Sequence, residues 1–202
     1  MESTDTTHLI RTPRAARALA SPVRQEIVDA LEHVGASTVA ELAAHLERAA
    51  DGLYFHVRAL ERVGVVERVG ERGEGRARAA VFDVPGRPMR LDYAGAPAKR
   101  VARLGPALDC LLRLARRDVR RALAHPRTGL DGECRELAVI RVRGRVSRDE
   151  LCRINALLEE VTEVVRGSCG GADGVPIALA VALAPIRRDD KEPSGGATRS
   201  KA

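Results

Sequence analysis

The feature that most constrains the fold of this chain is a change of hydrophobic period at Gly64. Before Gly64, apolar residues recur every three or four positions in three short segments, which is the spacing of amphipathic helices. After it the period becomes two in Val65–Val69 and again in Ala77–Val84, with a glycine-rich turn over 70–75 between them. Three short helices followed by a β-hairpin predict an α+β domain.

Start and stop signals bound each helix. Ser21–Pro22 is a helix start with Pro at the first helical position, and Gly35 is the matching stop. Thr38 and Glu41 form a capping box that opens the second helix. The third helix is predicted from about Ala50 to Val63. Its inward positions are Leu53, Val57 and Leu60.

The stretch Ala18–Val69 resembles the winged helix-turn-helix of the arsenic-repressor-like (ArsR-type) transcriptional regulators. Within it, Leu53–Glu67 resembles the recognition helix and its exit into the wing, and the resemblance covers roughly residues 14–84. It implies a DNA-binding transcription regulator, a repressor that works as a homodimer. Thr38 and Ala40 stand where some members carry paired metal-binding cysteines, so metal sensing at that site is excluded.

Two residues depart from the family pattern. Glu47 occupies the position where the family usually has a turn glycine. Gly52 falls inside the first turn of the recognition helix, where a glycine costs about 1 kcal/mol relative to alanine. This end of the helix is therefore expected to be weakly formed.

Candidate DNA contacts lie on the outer face of the third helix and in the hairpin. Arg58 and Arg62 are one turn apart, so one guanidinium could meet a guanine edge while the other meets a phosphate. Either Tyr54 or Phe55 could instead be a core residue at the junction of the second and third helices. The wing arginines could likewise belong to a solvated hairpin. The full candidate set is Thr38, Tyr54, Phe55, His56, Arg58, Arg62, Arg72, Arg76 and Arg78.

Positive charge is concentrated in the middle of the chain. The 202 residues hold 34 Lys+Arg and 28 Asp+Glu, a net charge of +6, and the whole excess lies between residues 91 and 128. A short helix to Leu104, a break at Gly105–Pro106 and a longer helix over Ala107–Ala124 are predicted there. One arc of the longer helix carries arginines that are possible phosphate or anion contacts. They are Arg113, Arg116, Arg117, Arg120 and Arg121.

The opposite arc of that helix is apolar, and three interpretations stay open. The arc could pack on its own domain, pair with a second copy, or, less favourably because it lacks aromatic anchors, lie on a membrane surface. Its members are Leu108, Leu111, Leu112, Ala115, Val119, Ala122 and Leu123. Cys110 is placed at the edge of the arginine arc, where cations would lower its pKa and suit a redox role.

The C-terminal part is predicted to be a small strand-helix-strand unit. Glu136–Val146 alternates like a half-exposed strand, Ser147 and Glu150 cap a helix, and Val175–Ile186 reads as a buried strand. This unit would serve dimerisation or respond to an unidentified small-molecule effector. The predicted divisions are a flexible arm 1–12, a winged helix-turn-helix domain 13–86, connecting helices 97–125, the α/β unit 135–186 and a disordered tail 187–202.

Other functions find little support in the sequence. The four cysteines form no C-x-x-C pair, and no nucleophile elbow, ligand cluster or phosphate loop is recognisable. We therefore expect no enzymatic activity, no metal and no cofactor. Without a signal peptide or a spanning segment, the expected location is cytoplasmic, and no membrane partner is expected. Besides double-stranded DNA reading, the open alternatives are a winged helix that only binds protein, and a thiol-based redox regulator.

Overall fold

A computed structural model describes residues 7–75, 78–168 and 174–186. The elements run β1 (His8–Ile10), α1 (Pro13–Ala18), α2 (Pro22–Val34), β2 (Ser37–Thr38), α3 (Val39–His45), α4 (Ala50–Glu61), β3 (Glu67–Arg72), β4 (Ala79–Asp83), β5 (Met89–Leu91), α5 (Pro97–Ala124) and α6 (Arg148–Arg166). The α+β class predicted from the sequence is confirmed.

The winged domain is built as the change of period predicts. α3 and α4 pack on α2, and the antiparallel sheet β2-β4-β3 closes the core beside them. The sheet contributes Phe82, and the helices contribute Ile27, Leu31, Leu53 and Leu60, all essentially buried. The core is therefore aliphatic, with a single ring from the sheet.

Gly64 ends the helical part in the way its sequence position requires. Its φ of 71° lies in the left-handed region, which a residue without Cβ adopts with no steric clash. Gly64 N donates to Glu61 O at 3.0 Å and Val65 N donates to Leu60 O at 3.1 Å. These two bonds are a Schellman motif, and they turn the chain from α4 into the wing.

The N-terminal segment is not a flexible arm from residue 8 onward, so that prediction was wrong there. His8–Ile10 pairs in parallel with Met89–Leu91, and Ile10 is only 3% exposed. α1 follows, with Thr12 Oγ1 accepting from Ala15 N at 3.1 Å and Pro13 at the first helical position. The strand was missed because a three-residue strand is stabilised by its distant partner, which local periodicity does not reveal.

The predicted break at Gly105–Pro106 was also wrong, because α5 is one helix of 28 residues. Proline removes one helical hydrogen bond and crowds the preceding turn. Leu104 and Ala107, on either side of it, are both buried in the core, and this packing holds the two halves in line. α5 packs mainly against α1 and α2.

The C-terminal unit forms its helix but not its strands. α6 begins at the predicted capping box, with Glu150 N donating to Ser147 Oγ at 3.2 Å. The described residues of the segments 135–146 and 174–186 form no strand, and their apolar side chains are exposed except for the half-buried Leu137. A strand needs a neighbour to accept its backbone hydrogen bonds, and neither segment has one within the described chain.

Candidate nucleic-acid interface

α4 presents a free face whose orientation is set by its buried residues. Leu53, Val57 and Leu60 are buried, so the opposite side of the helix faces solvent. Tyr54 is 50% exposed and Phe55 is 67% exposed, which excludes the alternative that either ring belongs to the core. Two large exposed rings side by side are an unusual surface for a free monomer.

Two arginines continue this face toward the C-terminus of α4. Arg58 Nη1 lies 2.8 Å from Glu61 Oε2, and its guanidinium carbon is 5.8 Å from the centroid of the Phe82 ring. Arg62 Nε donates to the carbonyl oxygen of Arg58 at 3.2 Å. Both side chains are exposed, and their local contacts preorganise them on the same stripe as Tyr54. We call Tyr54, Phe55, Arg58 and Arg62 the reading face.

Thr38 does not lie on this surface, which corrects its place among the candidate contacts. It is 6% exposed, and its hydroxyl accepts from Glu41 N at 3.2 Å. Thr38 N in turn donates to Glu41 Oε2 at 2.8 Å. Both halves of the capping box are formed, so the hydroxyl serves the start of α3.

The wing arginines are held by carboxylates. Arg72 pairs with Glu41 and also donates from Nη2 to the carbonyl oxygen of Ala36 at 3.3 Å, which ties β3 to the start of α3. Arg78 pairs with Glu71. The capping bond from Thr38 N, and after it the pair with Arg72, lower the pKa of Glu41. Arg76 lies outside the described residues.

His56 sits at the flank of the reading face, toward α2. It is half-buried, and its Nδ1 has no hydrogen-bond partner among the described residues. Burial lowers its pKa, and the nearby cations Arg24 and Arg48 lower it further. Its surroundings, with two arginines nearby, therefore favour the neutral form of the imidazole.

Arg24 and Arg48 were missed from the sequence. Arg24 lies in the first turn of α2, and Arg48 lies in the turn between α3 and α4. Arg48 Nη2 is 2.7 Å from Glu26 Oε2. A cation in the turn that precedes a recognition helix is a signal that could have singled out Arg48.

The arginine arc of α5 lines an open groove. The groove measures about 390 Å³ and is lined by Arg113, Arg116, Arg117, Arg120, Arg121 and Ala124. Arg117 is bound: its Nη1 is 2.6 Å from Glu26 Oε1 and its Nη2 is 2.8 Å from Asp118 Oδ1. Within the described residues, the other four arginines of the groove have no carboxylate within ion-pair distance.

Cys110 points into the protein although Arg113 lies beside it, so the predicted lowering of its pKa was wrong. Its side chain is fully buried, and burial raises the pKa of the thiol against the opposing effect of Arg113. A buried neutral thiol is a poor nucleophile, which removes the basis for a redox role of Cys110. Cys134 and Cys152 are exposed, and Cys169 lies outside the described residues.

The apolar arc of α5 divides between the core and solvent. The side buried against α1 and α2 carries Leu104, Ala107, Cys110 and Leu114. Much of the predicted apolar arc lies on the other side, where Leu112 is 55% exposed and Leu123 is 60% exposed. In the described part of the chain, no helix combines the length and the apolar character needed to cross a membrane.

Comparison with known proteins gives a match over the part of the chain that carries the reading face. A family model described as a helix-turn-helix domain matches residues 19–69, a range that runs from just before α2 into the wing. None of the curated proteins compared with the chain matches it. The chain therefore contains a helix-turn-helix domain, and such a domain indicates a DNA-binding transcription regulator.

Proposed function

We propose that the chain is a homodimeric, sequence-specific transcriptional repressor of the arsenic-repressor-like type. The reading face of α4 enters the major groove, and the wing contacts the backbone or the minor groove of double-stranded DNA. The protein acts by binding and not by catalysis. The observation that carries the proposal is the exposure of Tyr54 and Phe55 beside Arg58 on the second helix of a helix-turn-helix.

The chemistry of this face suits a duplex. An arginine can bond two acceptors of a guanine edge, and aromatic rings can contact thymine methyl groups or pack along the sugar-phosphate backbone. The pair between Arg58 and Glu61 is exposed, so exchanging Glu61 for a base edge costs little. The freed Glu61 carboxylate would repel DNA phosphates, because like charges repel. It would therefore disfavour docking positions in which Arg58 meets a phosphate instead of a base.

Dimerisation is proposed through the exposed apolar side of α5. Val101, Leu108, Leu112, Ala115 and Val119 follow one another at spacings of three, four or seven, which is the seam of a paired helix, and of these Leu108 also packs against the core. Val101 is 70% exposed in the single chain, and Leu112 is similarly open. Pairing of two copies would place two reading faces on successive half-sites.

A second candidate is a winged helix that docks on protein. It is favoured by the ion pairs of Arg72 and Arg78 in the wing, and by the balance of 13 basic and 13 acidic residues in 1–90. The two functions differ in their response to salt. In a gel-shift assay, a DNA-reading protein retards a random duplex at low salt and releases it as the salt concentration rises. A protein-docking module gives no such shift.

The proposal is tested by selecting bound fragments from a genomic library with the purified full chain. We expect enrichment of an inverted repeat whose half-sites are separated by about one helical turn, 10–10.5 base pairs. A reporter carrying the selected site across its promoter should be transcribed less when the protein is present. Absence of any enriched sequence would overturn specific reading, and increased transcription would overturn the repressor role.

A further inference from the structure

The distribution of free cations suggests where the DNA backbone lies beyond the reading face. Duplex affinity at physiological salt depends on cations that neutralise phosphates. Residues 1–90, which include the whole wing and α4, have no net charge. The exposed arginines of α4 and the wing are largely engaged: Arg58 with Glu61, Arg72 with Glu41, and Arg78 with Glu71.

α5 supplies the missing cations in a regular row. Arg113, Arg116 and Arg120 follow at intervals of three and four residues, so they lie on one arc of the helix. At 1.5 Å per residue, the row extends about 10 Å along the helix axis. All three side chains are exposed and line the open groove, and no described carboxylate is within ion-pair distance of them. We call these three residues the phosphate row.

The phosphate row starts close to the helix-turn-helix. Glu26 bridges Arg48, in the turn before α4, and Arg117, on α5, with distances of 2.7 and 2.6 Å. One carboxylate therefore separates the turn from the arginine arc. Arg24 fills the remaining interval, because it is near enough to influence both His56 on α4 and Cys110 on α5.

Arg24 also carries an unsatisfied donor at this junction. Its Nε is buried and has no hydrogen-bond partner among the described residues. An unpaired buried donor is costly, and one on a guanidinium favours an anion nearby. Arg24 and Arg113 both act on Cys110, so two cations lie at the junction of α2 and α5.

We propose that the phosphate row binds the phosphodiester backbone of the duplex beside the segment read by α4. This inference rests on the proposed DNA-reading function. Arg117 is excluded from the row because Glu26 and Asp118 already hold it, and its role is to position α5. The row carries no base specificity, since it meets only phosphate oxygens.

The test compares two triple variants of the full chain that each remove three positive charges. In the first, Arg113, Arg116 and Arg120 are changed to Gln. In the control, Arg141, Arg143 and Arg145, which lie in the exposed segment before α6, are changed to Gln. Dissociation constants for a selected duplex and a random duplex are measured by fluorescence anisotropy between 50 and 300 mM salt, and circular dichroism checks the helical content.

We expect the row variant to reduce the slope of log K against log salt by about 2 to 3, since each lost phosphate contact contributes about 0.9. Affinity for both duplexes should fall by the same factor, so their ratio is unchanged. The control should stay within about 0.5 of the wild-type slope. A variant with Lys at the three row positions should also keep the wild-type slope, because it keeps the charge.

Three results would overturn the inference. An unchanged slope in the row variant shows that the row does not touch the backbone. Equal losses in the row variant and the control show an effect of net charge only. The third result is that tripolyphosphate at constant ionic strength stabilises the wild type but not the row variant, while the DNA slopes of the two are the same. The row would then bind a free anion and not the DNA backbone. If the wild type binds no duplex at all, the proposed function itself fails.

Discussion

The Glu26 carboxylate accepts a hydrogen bond from Arg117 at 2.6 Å, which joins the first half of α2 to the arginine arc of α5. The same carboxylate accepts from Arg48 at 2.7 Å. Glu26 is largely shielded from solvent, whereas Arg48 is partly exposed. One carboxylate therefore links α2, the turn before α4 and α5.

Removing the charge of Glu26 should loosen this junction. We expect Glu26→Gln to lower the free energy of unfolding by about 1–2 kcal/mol, because two arginines lose a shielded partner at once. Glu61→Gln is the matched control: it breaks one exposed pair, within α4, and should cost no more than about 0.5 kcal/mol. Urea denaturation measures both. Equal effects of the two substitutions would show that the Glu26 bridge carries no special role.

Glu47 adopts φ = 50° in the turn between α3 and α4, a left-handed conformation that favours glycine. We expect Glu47→Gly to raise the free energy of unfolding by about 1 kcal/mol. Gly64→Ala is the reciprocal change, because Gly64 has φ = 71° and an added Cβ would meet no atom within 4 Å. It should cost about 1 kcal/mol for backbone reasons alone. Thermal unfolding followed by circular dichroism measures both, and a loss of stability in Glu47→Gly would contradict the strain.

The lowered pKa of His56 gives the stability of the free protein a definite pH dependence. Its folded pKa lies below the unfolded value of about 6.5, so its contribution is present above that pH and is lost as the pH falls through the folded pKa. We expect His56→Gln to flatten the decline in stability between about pH 6.5 and 5. Urea midpoints across this range measure it, together with the titration of the His56 ring by NMR. A ring that titrates above 6.5 would reverse the sign and contradict the environment formed by Arg24 and Arg48.

Exposed leucines on α5 make the proposed dimer easy to challenge. We expect Leu112→Glu to convert a dimer into monomers at micromolar concentration, because a buried seam does not accept an unpaired carboxylate. Leu130→Glu, at an exposed position in the loop after α5, should leave the mass unchanged. Analytical ultracentrifugation distinguishes the two. A wild type that is monomeric, or a Leu112→Glu chain that stays dimeric, would place the interface elsewhere.

Much of the fold was predictable wherever local signals and burial coincide. Thr38 and Glu41 predict the start of α3, and Gly64 predicts the exit from α4, because helix caps and left-handed turns depend on residues that are close in sequence. Pairing between distant segments was not predictable in this way. Ile10 is buried only because residues 89–91 lie beside it, and Pro106 stays helical only because its neighbours are packed.

In the candidate site, too, local features were predictable and contacts between distant residues were not. The spacing of Leu53, Val57 and Leu60 was enough to identify the face that carries Arg58 and Arg62. The contacts of Arg72 with Glu41 and of Arg117 with Glu26 depend on residues 31 and 91 positions away, so periodicity could not predict them. The segments before and after α6 carry a strand-like alternation that no described neighbour completes.

The central claim is that the outer side of α4 reads base sequence, and the most direct measurement is the effect of Arg58→Ala on discrimination between duplexes. Dissociation constants for the selected duplex and for single-base variants are measured with the wild type, with Arg58→Ala, and with Arg153→Ala on α6 as control. We expect Arg58→Ala to weaken the selected duplex by about 1–3 kcal/mol and to abolish the preference at one base pair, while the control behaves as wild type. Unchanged affinity and unchanged preference in Arg58→Ala would contradict the assignment of α4 as the reading helix.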